Sequence, residues 1–106
     1  MNKKSNKEVQ DEIEFALNFR IQGFFRMGVD EQEEIIDMMI VGMESQINRY
    51  DTKLMGFLKF QERNEQLISG LIGKGYYEVV HALKQAILKV EKKYKQINLI
   101  EELCQH

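Results

Sequence analysis

Apolar residues recur along this chain at intervals of three and four rather than two, so helices are expected throughout and strands nowhere. Between Lys7 and Met27, the residues Val9, Ile13, Ala16, Leu17, Phe24 and Met27 fall on one helical face. Arg20 shares that face; its stem packs while its head meets a carboxylate, which makes it a structural ion-pair residue. Phe15 and Phe19 sit four apart on a different side. A helix apolar on two sides is either central or has a second partner. Gly28 then reads as the residue just past the helix end. Asp30 reads as the next N-cap, with Glu33 completing a capping box.

The following stretch is the most regular. Ile36, Ile40, Met43, Ile47, Tyr50, Leu54 and Phe57 are spaced alternately four and three apart, a heptad seam. Continued, the frame meets Gln61, Asn64, Ile68 and Leu71, and so turns polar at Gln61 and Asn64. Two readings stand. One is a single helix over 31–69, roughly 58 Å long. The other breaks near Tyr50–Thr52, with Asp51 capping a new helix. The unbroken frame favours continuity. SGLIGKG (69–75) is a Gly-rich turn. Tyr76, Val80, Leu83, Ile87, Val90, Tyr94 and Ile97 then repeat the alternation, which predicts a last helix over 76–96, with Leu103 as its furthest extent.

The expected fold is therefore all-α: an antiparallel helical bundle of three long helices, or four if the second breaks near Asp51, with heptad-like packing. Residues 1–6 form a disordered polar N-terminus and 7–106 a single all-helical domain. The predicted core comprises Ile13, Leu17, Phe24, Ile36, Ile40, Met43, Ile47, Leu54, Phe57, Leu83, Ile87 and Val90. One such long helix leaves apolar seam uncovered in a chain of 106 residues, so a homodimer that pools helices is expected.

Composition changes this picture little. Pro is absent, so no helix break is forced, and seven Gly do the punctuating. Lys, Asn, Gln, Ile and Glu are plentiful, the usage of an AT-rich bacterial or phage genome. Net charge is -2, but residues 1–52 hold 6 basic and 11 acidic residues, whereas 53–106 hold 9 and 6. That polarity aligns protomers head to tail or favours an acidic partner at the C-terminal half; it is too weak to imply nucleic acid by itself. The single cysteine, Cys104, excludes an internal disulfide framework and fits a reducing cytoplasm. MNKKSNKEVQDE lacks the apolar stretch of a secretory signal, and no run approaches the roughly 18 apolar residues of a membrane span.

Candidate chemistry is sparse. Asp11-x-x-Glu14 and Glu34-x-x-Asp37 pair carboxylates on the first and second helices. These pairs, with EEIIDMM around Glu34, resemble over about residues 10–43 the motifs of MazG-like nucleotide pyrophosphohydrolases. That resemblance implies Mg²⁺ held by the acidic pairs. Asp11 stands where the family has Glu, and Gln10 where an acid usually precedes. Asp11 and Glu34 are both expected to point outward, whereas a metal between packed helices needs inward or flanking oxygens. The acidic run 30–37 also suits the positive end of a helix dipole.

Glu78-x-x-His81 is half of a ferritin-like di-iron ligand set, but both residues project away from the Tyr76–Val80–Leu83–Ile87 face. Cys104-x-His106 lies at the chain end. Gly70–Gly75 carries Gly and Lys before a helix without the length of a P-loop. Two His and one Cys build no nucleophilic triad. No catalytic residue, metal ligand or cofactor is assigned.

Residues 65–85 look like the helix-turn-helix of small phage and plasmid regulators. That likeness implies that Tyr77, His81, Lys84 and Gln85 face the groove, with Lys74, Lys89, Lys92, Lys93 and Lys95 near phosphates. The leading expectation is a non-enzymatic regulator or adaptor of the inhibitor, immunity or accessory type. It binds a protein partner through helices, and Phe15 and Phe19 are its contact residues. The alternative is a helix-turn-helix transcriptional regulator; the third is a Mg²⁺-dependent nucleotide hydrolase.

Overall fold

The computed structural model describes the backbone of residues 5–104 and the side chains of residues 5–95. Four helices pack against one another: α1 (Asn6–Ile21), α2 (Val29–Ile47), α3 (Lys53–Gly73) and α4 (Tyr77–Cys104). A short 3-10 turn, Phe24–Arg26, links α1 to α2.

The first helix starts where Ser5 accepts a hydrogen bond from the Glu8 amide at 3.1 Å, the Ser-x-x-Glu spacing of a capping box. It ends at Ile21, six residues short of the expected Met27. Gly23 adopts a left-handed φ of 85°, a conformation costly to side chains, and the chain turns there. The turn delivers Phe24 to the core. The carboxylate of Glu78, reaching from α4, accepts the amides of Gly23 at 3.3 Å and Phe25 at 2.8 Å. Gln32 donates to the Phe24 carbonyl at 2.7 Å. Gly28, expected to close α1, instead precedes α2 as its N-cap, and Asp30 lies inside the first turn of α2 rather than capping it.

The long helix over 31–69 is not formed. The chain leaves α2 after Ile47 and starts α3 at Lys53, capped by Thr52 rather than Asp51: the Thr52 hydroxyl accepts the Met55 amide at 3.1 Å. The intervening residues reset the angular phase. Leu54, placed on the predicted seam, is 51% exposed, while Phe57 and Phe60 are buried. The Gly-rich stretch also differs from expectation, because α3 runs helical through Gly70 to Gly73. The turn proper is Schellman-like. The Tyr76 amide reaches back to Leu71 O and the Gly75 amide to Ile72 O, each at 3.0 Å, with Gly75 at φ 77°.

Helix α4 is central and packs against every other element. Its predicted seam residues Val80, Leu83, Ile87, Val90 and Tyr94 are buried, and so are Val79, Ala82 and Ala86 beside them. Ile97 lies outside the described side chains. Tyr94 stacks on Phe57 at 5.5 Å, next to Phe60, so α3 and α4 run antiparallel from the turn at Gly75. Lys93 meets Glu44 at 2.9 Å while Glu78 holds the loop before α2, so α2 runs alongside α4 in the same direction. Helix α1 packs on α3 and α4 rather than on α2. The molecule measures 47 × 42 × 21 Å, about two helix diameters thick. Among the described residues no helix is long and apolar enough to cross a membrane.

Candidate functional site

The apolar surface of α1 does not pack as its spacing predicts. The side turned to the bundle carries Glu14 and Ile21, both buried, with Leu17 and Gln10 half-buried. Val9, Ala16 and Ile13, placed by periodicity on the core face, are exposed, Ile13 at 45%. Phe15 and Phe19 are more exposed still, at 62% and 71%. Their rings stack on each other with centroids 6.5 Å apart and planes 24° off parallel. One helix thus presents two aromatic rings and three aliphatic side chains to solvent. Residues at Glu8, Glu12, Phe15 and Phe19 form a row at helical spacing, so acids flank the rings on the N-terminal side.

A charged anchor fixes α1 from behind. Glu14 is 2% exposed and its carboxylate lies against Gly70 of α3, where any Cβ would push that carboxylate aside. Its carboxylate accepts a hydrogen bond from Gln10 at 3.2 Å and from the Lys74 ammonium. Lys74 also donates to Asp11 at 2.5 Å. The hydrogen bond to Lys74 holds the Asp11 carboxyl below its ordinary range, and the bonds to Asp11 and then Glu14 raise the Lys74 ammonium above its own. Asp11, expected outward, is therefore engaged. Burial of Glu14 was not legible locally, because its partner lies sixty residues along the chain. Arg20, expected to form a structural ion pair, is exposed and meets no carboxylate among the described residues. It borders an apolar hollow between α1 and α2 lined by Leu17, Ile21, Ile35, Met38 and Met39. The periodicity alone does not reveal that hollow, to which both α1 and α2 contribute side chains.

The metal-ligand candidates resolve into other uses. Asp11 and Glu14 meet Lys74, while Glu34 and Asp37 line an exposed hollow on α2 with Asp30, Glu33, Met38 and Val41. Among the described residues no group of three or more His, Cys, Asp or Glu is gathered as a cation site. Glu78, expected in solvent, is half-buried and spends its carboxylate on the Gly23 and Phe25 amides. His81 is exposed, with its ring 5.3 Å from Phe25 and its Nε2 2.6 Å from the Gln85 amide. Cys104 and His106 lie outside the described side chains.

Of the residues proposed for the DNA groove, Tyr77, His81 and Lys84 are exposed on one side of α4 and Gln85 is half-buried. Lys89, Lys92 and Lys95 are exposed as well, whereas Lys74 and Lys93 are tied to carboxylates. A further groove between α3 and α4 is lined by Gln61, Asn64, Ile68 and Ile72 of α3 and by Ile87 and Glu91 of α4, and the buried Asn64 amide nitrogen there meets no hydrogen-bond partner among the described residues.

Compared with protein-family models, with curated proteins and with solved structures, the chain matches none.

Proposed function

We propose that this protein is a small non-enzymatic regulator or adaptor of the cytoplasm that binds another protein through the outer face of α1. The carrying observation is the stacked Phe15–Phe19 pair, two large rings left in water on a helix clamped at its back by Glu14, Asp11 and Lys74. Exposed aromatic rings cost solvation free energy and are enriched at the centres of protein interfaces. A pre-stacked pair on a fixed helix loses little side-chain entropy on binding. Val9 and Ile13 extend the apolar area around the helix, and Glu8 and Glu12 give it an acidic end. Nothing catalytic is required of such a surface.

The test is a matched pair of affinity captures from a host extract, with wild type and with Phe15→Ala/Phe19→Ala. The reading expects a specific protein retained by the wild type and lost with the variant, at unchanged helicity. Equal retention by both removes Phe15 and Phe19 from the contact.

A further inference from the structure

The charge polarity of the chain becomes spatial in the fold. The side of α2 opposite the core carries Asp30, Glu33, Glu34 and Asp37, followed by exposed Met38 and Val41. No basic residue interrupts it. The side of α4 opposite the core carries Lys84, Lys89, Lys92 and Lys95, with exposed Leu88 and Tyr77. Within α4, Glu78 is spent on the loop after α1, and Glu91, half-buried at the edge of the strip, lines the α3–α4 groove. None of these eight charged residues has an ion-pair partner among the described residues.

We infer that the α2 strip of one molecule docks on the α4 strip of a second copy. Asp30, Glu34, Asp37 and Val41 on α2, and Lys84, Leu88, Lys92 and Lys95 on α4, keep the three-and-four spacing of a helix–helix seam, with Lys89 at the edge of its strip, and each strip combines charge of one sign with exposed apolar side chains. Set antiparallel with Met38 opposite Leu88, the pairing places Asp37 beside Lys89 and Glu34 beside Lys92. Opposite charges at flanking positions fix the register and orientation of such a pair, and the apolar centre supplies the burial. A second copy fits because the complementary strip stands on this same chain. A slab about two helix diameters thick leaves both strips facing water in the monomer. The contact uses neither Phe15 nor Phe19, so it stands apart from the α1 surface.

Sedimentation equilibrium tests it by charge exchange. The wild type self-associates, and association weakens about tenfold between roughly 0.05 M and 0.5 M salt. Glu34→Lys/Asp37→Lys and Lys89→Glu/Lys92→Glu are each monomeric with native helicity. An equimolar mixture of the two restores association, since each supplies the strip that the other has lost. Phe15→Ala/Phe19→Ala associates like the wild type. The inference is overturned by a wild type that stays monomeric at low salt, by charge variants that associate undiminished, or by a mixture that does not recover. A monomer that binds duplex DNA at low salt through Lys89 and Lys92 assigns the α4 strip to nucleic acid instead.

Discussion

The carbonyl oxygen of Ile47 stands only 2.2 Å from where a Cβ on Gly56 would sit, so the first turn of α3 rests on the last turn of α2. Ile47 and Gly56 are both buried at this crossing. Because the obstacle is backbone, Gly56→Ala must spread the two helices. A loss of about 1–3 kcal/mol is expected from overpacking. It outweighs the roughly 0.5–1 kcal/mol gained by removing a helical glycine. Urea unfolding followed by far-UV circular dichroism measures the difference. A variant as stable as the wild type contradicts the close approach.

The break between α2 and α3 rests on one hydroxyl. Thr52 accepts the Met55 amide, and Asp51, exposed beside it, takes no part in that cap. Thr52→Ala is expected to cost about 1 kcal/mol. Asp51→Ala should stay within about 0.5 kcal/mol of the wild type, as for an ordinary surface change. Thermal unfolding of the two variants decides the cap, and the reverse order would assign it to Asp51.

These two positions also mark what periodicity reveals and what it misses. The α4 seam was readable because one uninterrupted helix carries it, and Val80, Leu83, Ile87, Val90 and Tyr94 all pack as their spacing requires. Ala82 and Ala86 were not, since a helix surrounded on several sides buries an arc wider than a single seam. From Ile36 to Phe57 the frame continues across a real break, because residues on both sides of the turn still face the core. Only the exposed Leu54 betrays the change of phase. On α1 the apolar spacing selected Ile13, while the buried position belongs to Glu14. A carboxylate is buried there because Lys74 and Gly70 come from far along the chain. The Phe15–Phe19 row was visible as a second apolar side, and the structure leaves it in solvent.

The α1 anchor has a pH signature with a definite sign. The Asp11 carboxyl is held below 3.8 mainly by its hydrogen bond to Lys74. Its contribution is therefore complete above the unfolded-state value and lost as pH falls through the lower folded one. The Lys74 ammonium is raised above 10.5 by Asp11 and then Glu14, so its contribution is complete below 10.5 and lost as pH rises through the folded value. The pairing should hold between those limits. Carbon-13 NMR of the Asp11 carboxyl is expected to show a titration midpoint below 3.8, and Lys74→Met should return it toward the ordinary range. A midpoint that ignores the Lys74 substitution would break the assignment.

Three phenylalanines near one another in sequence should respond in opposite ways. Phe24 is 1% exposed, in the core beside α4, while Phe15 and Phe19 stack in water. Phe24→Ala removes a full side chain from a packed site and is expected to cost about 3–5 kcal/mol. Phe15→Ala and Phe19→Ala remove surface that folding leaves exposed. Their combined effect on stability should stay near 0.5–1 kcal/mol, about the size of the lost aromatic contact. Chemical denaturation of the variants separates the two classes. If Phe15→Ala/Phe19→Ala lowers stability as far as Phe24→Ala does, the α1 rings belong to the fold, and a partner surface there loses its basis. If stability holds, those rings are free to be selected for binding rather than for packing, which is the condition the α1 interface requires.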